Sequence, residues 1–367
     1  MRTRFIHSLA AALGLAAATA AVLVPAASAG TSGAVSALTN ATAGNEVVVW
    51  ARGADGSLEP DGAYPTGGTG TGAGLGSQDA VIVSDDGRLL FAVNAGSGSV
   101  SAFRIRAHGL ELAGIAPSGG PMPTSLTYRK GLLYVLNAGV PNSISGLSVG
   151  SDGSLAPLPG STRPLSAAST APAEVNWSDG GDALVVTERA TNRLTSYAVD
   201  ADGLPSGAAV VTPSSGPTPF GFAITKRDTV FVSEAGAGGG ASTYALGAGA
   251  VLTPVSSMLM TGQRAACWAV ATKNGRFGYV TNAGTGNISG FALAQDGSGS
   301  LLDADGVTAV TGGNPTDAAL SHDSTYLYAR VAALGRIAIF RVAADGSLAE
   351  RPALEATPAG LAGLAAW

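Results

Sequence analysis

The sequence predicts an all-β protein: a seven-bladed β-propeller with four-stranded blades, its ring closed by N- and C-terminal strands within one blade. Three observations carry this. An apolar run, an Asn-Ala-Gly stop, an alternating run and a D-G-S turn recur in that order, wholly or in part, at residues 91–105, 134–155 and 279–302. The runs have period two and are rich in Val, Ile and aromatics, which is the strand signal, and the stops and turns hold residues that tolerate left-handed backbone angles. The unit returns every 43 to 54 residues, the size of a propeller blade, and the two incomplete ends of the chain together supply one more unit.

The residue ending the second strand of each unit serves as a marker: Asn40, Asn94, Asn137, Thr187, Ser233, Asn282 and Val331. A D-G type turn follows most markers, at Asp55-Gly56, His108-Gly109, Asp152-Gly153, Asp202-Gly203, Asp296-Gly297 and Asp345-Gly346. A hairpin turn precedes most of them, as at 85–87, 178–180, 273–275 and 322–324, and ahead of it lies a short apolar strand at 80–83, 175–177, 268–271 or 318–320. Seven markers make seven blades. The last marker leaves 36 residues to the C-terminus and Gly30 stands 10 before the first, so the ends sum to one repeat. Residues 361–366 read as an inner strand without followers and residues 34–40 as followers without an inner strand. Pairing them closes the ring and protects edges that an open array would expose.

The composition fits this architecture. The chain has 367 residues, 46% hydrophobic and 12% charged, with 53 Gly and 19 Pro, and no long amphipathic helical pattern. Arg2 and Arg4 precede an Ala/Leu-rich stretch over residues 9–24, and Ala27-Ser28-Ala29 fits a small-residue cleavage site. Residues 1–29 are therefore expected to be a Sec-type signal peptide and residues 30–367 the propeller, secreted to the cell envelope or beyond. Cleavage takes the net charge from −5 to −7, which argues against nucleic acid or an anionic membrane as partner. No second apolar run is long enough to span a bilayer. The single Cys267 excludes an internal disulfide, and a monomer is expected. The Gly-rich stretch 65–76 matches neither G-x-G-x-x-G nor a phosphate loop and reads as a flexible inter-blade loop.

The Asn-Ala-Gly stops, the D-G-S-L turns and the phrase P-A-E-V-N-W-S-D-G-G-D-A-L-V-V-T-E at 172–188 resemble the lactonase family of seven-bladed propellers, which includes 6-phosphogluconolactonases and carboxymuconate-lactonizing enzymes. The resemblance covers residues 40–367. It implies a cofactor-free hydrolase of small lactones. Active members of the family open an inner strand with an Arg-His pair, and the matching slot here holds Cys267-Trp268.

Site residues follow from departures from the repeat. The residue after each marker is Ala41, Ala95, Ala138, Glu188, Glu234, Ala283 or Ala332. Two neighbouring blades thus carry Glu where five carry Ala, on the face where second strands end and inner strands begin. Two carboxylates in one confined mouth raise one pKa and make a general base, and Arg264 is placed to stabilise an ester oxyanion. The catalytic expectation is therefore Glu188, Glu234 and Arg264. Gln78, Asp79, Asp317 and Trp268, at inner-strand starts, are the expected substrate contacts, Trp268 as a ring platform. The plain alternative is that both glutamates are solvated rim residues. Oxygen ligands at Asn94, Asn137 and Asn282 leave Ca²⁺ open, although turn geometry accounts for them; no redox cofactor is expected. His108 and His322 fall in turn slots, and Cys267 reads as a buried thiol. Two functions remain: a secreted lactonase-like hydrolase, or a propeller that binds a small molecule, glycan or protein at the same mouth.

Overall fold

The computed structural model describes residues 31–367; the signal-peptide expectation for 1–29 lies outside them. Seven antiparallel sheets form the blades of a closed ring. Blade 1 takes its inner strand, Ala362–Ala366, from the C-terminus and its other strands, Thr31–Leu38, Glu46–Gly53 and Leu58–Pro65, from the N-terminus. Val35 pairs with Ala366 and Leu38 with Ala362, so the seam is closed as expected.

The inner strands of blades 2 to 7 are Val81–Val83, Pro123–Arg129, Pro172–Trp177, Pro219–Ile224, Ala266–Ala271 and Pro315–Leu320. The fourth strand is broken into two pieces in blades 3 and 6, where Leu155–Pro157 and Arg163–Pro164, and Gly299–Leu301 and Ala309–Val310, pair with one third strand. Helix is limited to the 3-10 turns Ala248–Ala250 and Ala332–Leu334 among the described residues, and no helix there is long and apolar enough to cross a membrane.

The repeated phrase has physical work to do between blades. In the D-G-S turns the Asp Oδ1 accepts the N–H of the Ser two residues on, at 3.0 Å for Asp55 and Ser57 and for Asp345 and Ser347. The glycine adopts positive φ, 87° at Gly56 and 88° at Gly346, and its carbonyl is presented to the preceding blade. Tyr134 donates its hydroxyl to Gly203 O, Tyr279 to Gly346 O and Tyr328 to Gly56 O. The last of these crosses the seam from blade 7 to blade 1, so the ring closes with the contact used elsewhere. Apolar residues pack in layers between the blades, such as Tyr326, Tyr328 and Ile339 of blade 7 with Val35, Trp50 and Leu364 of blade 1.

Candidate functional site

The stretch 65–76 is fastened to blade 1, which corrects the expectation of a flexible loop. Gly70 N–H donates to Ala41 O and Gly72 N–H to Asn40 O, while the Asn40 side chain bonds both Thr71 and Ala73 O. The loop delivers residues 77–79 across the ring. Ser77 Oγ donates to Thr124 O of blade 3, and its carbonyl accepts the Trp268 indole N–H of blade 6 at 2.9 Å. Gln78 N–H donates to Ala173 O of blade 4. The Gln78 amide joins the inner strand of blade 6 as an extra peptide would, Nε2 to Ala269 O at 2.8 Å and Ala269 N–H to Oε1 at 2.9 Å. This crossing requires Gly221: a Cβ there would lie 2.2 Å from Gln78 Oε1. Residues 77–79 therefore plug the channel on the face where inner strands begin.

Below the plug the channel is open. A cavity of about 320 Å³ is bounded by Gln78, Asp79 and Asn176 at the plug and by inner-strand residues of blades 1, 2, 5, 6 and 7. A second space of about 490 Å³ shares Ala223, Ile224, Ala271 and Leu320 with it and is ringed by Asp85, Asp179, Lys226, Lys273 and His322. These last residues belong to the hairpins between first and second strands. The channel is thus a funnel, wide at the hairpin face and blind at the plug.

At the blind end three carboxyls meet. Asp79, held at φ 61°, lies beside the Glu174 carboxyl, close enough for each to affect the other's proton, and the charge of Asp79 is felt at Asp317. Glu174 lies on the inner strand of blade 4, is wholly buried, and accepts the Phe222 N–H at 2.6 Å on Oε2. Burial pushes Asp79 up to about 7, against the lowering effect of Glu174 beside it. Burial first, and then the charge of Asp79, hold Glu174 well above the ordinary carboxylate range. Asp317 is also raised well above its usual value, by burial, with Arg330 pulling the other way and Asp79 adding to the rise. Arg330 donates to Thr316 O at 3.3 Å, and its buried Nε has no partner. Asn176 completes the end: its Oδ1 accepts Thr127 Oγ1 and Trp177 N–H, and its Nδ2 reaches Glu174 Oε1 only at 3.5 Å.

The residues expected from sequence divide into two sets. Gln78, Asp79, Asp317 and Trp268 are brought to one place, but the first two are part of the closure rather than an open mouth. Trp268 is 8% exposed, tilted against Phe220 with centroids 5.0 Å apart, and its N–H is taken by Ser77, so it anchors the plug instead of offering a free ring face. Glu188, Glu234 and Arg264 share no hydrogen-bond partner. Strand register explains the misreading: Glu188 pairs with Arg193 and Glu234 with Gly240, as Asn94 pairs with Ser99, Asn137 with Ser143 and Asn282 with Asn287. The glutamates replace Asn, not Ala, and the markers Thr187 and Ser233 stand one residue early.

The Asn slot is a clasp inside the blade. Asn94, Asn137 and Asn282 donate through Nδ2 to Ser101, Ser145 and Ser289 on the third strand at 2.8, 2.9 and 2.8 Å. In the same place Thr195 donates to Glu188 Oε1 and Ser242 to Glu234 Oε1, each at 2.6 Å. Glu188 also accepts from Ser166 N–H and Thr191, and Glu234 from Ser214. Both are fully buried, so they are not solvated rim residues either. Arg264 is exposed and donates to Gly284 O.

These clasp bonds also account for the asparagines considered as Ca²⁺ ligands, and no group of three His, Cys, Asp or Glu among the described residues is arranged to hold a metal ion. The Cys267 thiol is buried and pushed up to about 12 by that burial, which leaves it unreactive at neutral pH. Glu174, Asn176 and Arg330 were not singled out from sequence. Glu174 sits inside the quoted P-A-E-V-N-W phrase, where an acid within an apolar inner strand was the available signal.

The periplasmic gluconolactonase PpgL of Pseudomonas aeruginosa superposes with a TM-score of 0.71 at 19% identity, covering 90% of this chain and 98% of that one. The chain shares the lactonase-type seven-bladed fold. A Bacteroides uniformis protein provisionally assigned as a 6-phosphogluconolactonase gives 0.70 at 16% identity over 89% and 98% of the two chains. A similarly assigned Bacteroides fragilis protein gives 0.66 at 18% over 92% and 99%. No family model and no curated protein matches the sequence. At such identities the likeness to lactonase-type propellers is one of fold.

Proposed function

We propose that the protein is an exported lactonase-like hydrolase whose general base is Asp79, with buried Glu174 beside it holding its charge state. The observation that carries this reading is Asp79 lining the blind end of a channel beside the buried carboxyl of Glu174, within a fold whose solved neighbours include a gluconolactonase. In this scheme a lactone enters from the hairpin face with its carbonyl towards Asn176. Ionised Asp79 takes a proton from water as the water oxygen bonds to the acyl carbon, and the free Asn176 N–H steadies the oxyanion. When the intermediate collapses the ring C–O bond breaks, the leaving oxygen takes the proton from Asp79, and a hydroxy acid departs. Asp317 and Arg330 set the charge around the pair. No redox cofactor enters these steps, and assays with and without Ca²⁺ test for a metal.

Acid release from a lactone panel is the experiment. Turnover should rise with pH through an apparent pKa near 7, the value to which Asp79 is pushed. Asp79→Asn and Glu174→Gln should each lower kcat by roughly 10²–10⁴-fold with the fold retained. Wild-type rates in both variants would move the chemistry elsewhere. Saturable ligand binding without turnover of any lactone would favour a binding propeller.

A further inference from the structure

One gap between blades departs from the others. The fourth residue of each third strand pairs with a second-strand residue that packs towards the next blade. Opposite Gly146, Gly290 and Ile339 that residue is Tyr134, Tyr279 and Tyr328. These three side chains are buried, and each donates its hydroxyl to a turn carbonyl of the next blade. Blades 2, 4 and 5 hold Phe91, Val185 and Phe231 in the slot, whereas blade 1, opposite Val49, holds Ser36. Ser36 shares its strand face with Ala34 and Leu38, which pack with Leu90 and Phe103 of blade 2. Its Oγ is buried and has no hydrogen-bond partner.

A cleft of about 320 Å³ lies between blades 1 and 2, on the path a tyrosine ring takes elsewhere. It is lined by Ala34, Val49 and Ala51 of blade 1, by Ile105 and Leu110 of blade 2, and by Trp367. The turn 106–109, counterpart of the turns that receive the tyrosines, lines it as well. The carbonyls of Ala107 and His108 in that turn accept no hydrogen bond among the described residues. Tyr64, from the fourth strand of blade 1, packs on Gly109, where a Cβ would stand 1.9 Å from its hydroxyl, yet it does not line the cleft. The charged lining residues Asp61, Arg106 and His108 are exposed, and no residue is shared with the channel.

We propose that this cleft is a second ligand site, which takes a small phenol in the place a tyrosine side chain holds in blades 3, 6 and 7. The ring covers apolar surface on Val49, Ile105 and Leu110, and the hydroxyl donates to a free carbonyl of the 106–109 turn, as Tyr134 donates to Gly203 O. This stands independently of the hydrolase reading.

The probe is p-cresol, the tyrosine side chain cut at Cβ, titrated by calorimetry and ligand-observed NMR. It should bind saturably at one site. Toluene, the same ring without the hydroxyl, should bind about 3–10-fold more weakly. Ser36→Tyr supplies the missing ring from within the chain and should weaken p-cresol at least about tenfold. Ala51→Leu fills the cleft from its half-buried wall and should do the same; it decides the matter should Ser36→Tyr fail to fold. No saturable binding of p-cresol, toluene bound as tightly, or binding unchanged in either folded variant overturns the proposal.

Discussion

Replacing Glu234 by Gln separates two roles for that residue by the sign of a pH effect. Its carboxyl is fully buried, accepts hydroxyls from Ser214 and Ser242 on Oε1, and leaves Oε2 without a partner. Burial raises it from 4.5 to about 7, against the lowering effect of the hydroxyls. Between about pH 4.5 and 7 the folded protein therefore holds a proton that the unfolded chain releases, so stability falls as pH rises through that window. At about 1.4 kcal/mol per pH unit the full loss is about 3 kcal/mol. Gln is neutral throughout, and the rotatable hydroxyls can accept its N–H as Ser289 accepts that of Asn282. Denaturant unfolding should find the variant within about 1 kcal/mol of wild type at pH 5 and more stable by about 2–3 kcal/mol at pH 8. The same difference at both pH values, or a loss of stability at pH 8, refutes the reasoning. Collapse of lactone turnover with no pH-dependent gain would instead return Glu234 to the general-base role that the residue pattern suggested.

Other consequences are checked more directly. Asp79, Glu174 and Asp317 are raised in the same sense as Glu234, so the wild-type melting temperature should be higher near pH 5 than near pH 8. Asp323 acts oppositely: burial raises it, but bonds from Ser321 and Thr325 prevail and bring it to about 2, so its contribution is present above 3.8 and is lost as pH falls towards 2. Acid titration of the Asp323→Asn variant should show that limb flattened. Gly221→Ala forces its Cβ against Gln78 Oε1, and should cost about 1–3 kcal/mol and speed amide exchange at Ala269; wild-type exchange would mean the plug is not held by that amide. Deleting residues 361–367 removes the inner strand of blade 1 together with Leu361 before it; Leu361 and Leu364 are each 3% exposed and worth about 1.5–3 kcal/mol. Aggregation or a greatly lowered melting temperature is expected, and unchanged melting would contradict the closure at the seam.

The repeat determined the architecture by itself. Period-two apolar runs, D-G-S turns and the summed chain ends specify strands, their order and the blade that joins the termini, because these depend on local periodicity and turn chemistry. Blade register lay deeper. The phrases S-E-A-G and T-N-A-G are alike enough to align, yet which of two adjacent residues faces the third strand follows from hydrogen-bond pairing, and that choice decides whether Glu188 and Glu234 face a mouth or a clasp. The plug was beyond the sequence altogether. Gln78 meets Ala269 across 191 residues of chain, and the loop before it reads as Gly-rich slack until Asn40 is seen holding it. Asp79 and Asp317 could be named from inner-strand positions, but their union with Glu174 arises only where strands from different blades converge on the ring axis. Side-chain proximity there is set by closure of the whole sheet ring, and burial at that point, rather than residue type, gives the carboxyls their raised affinity for protons.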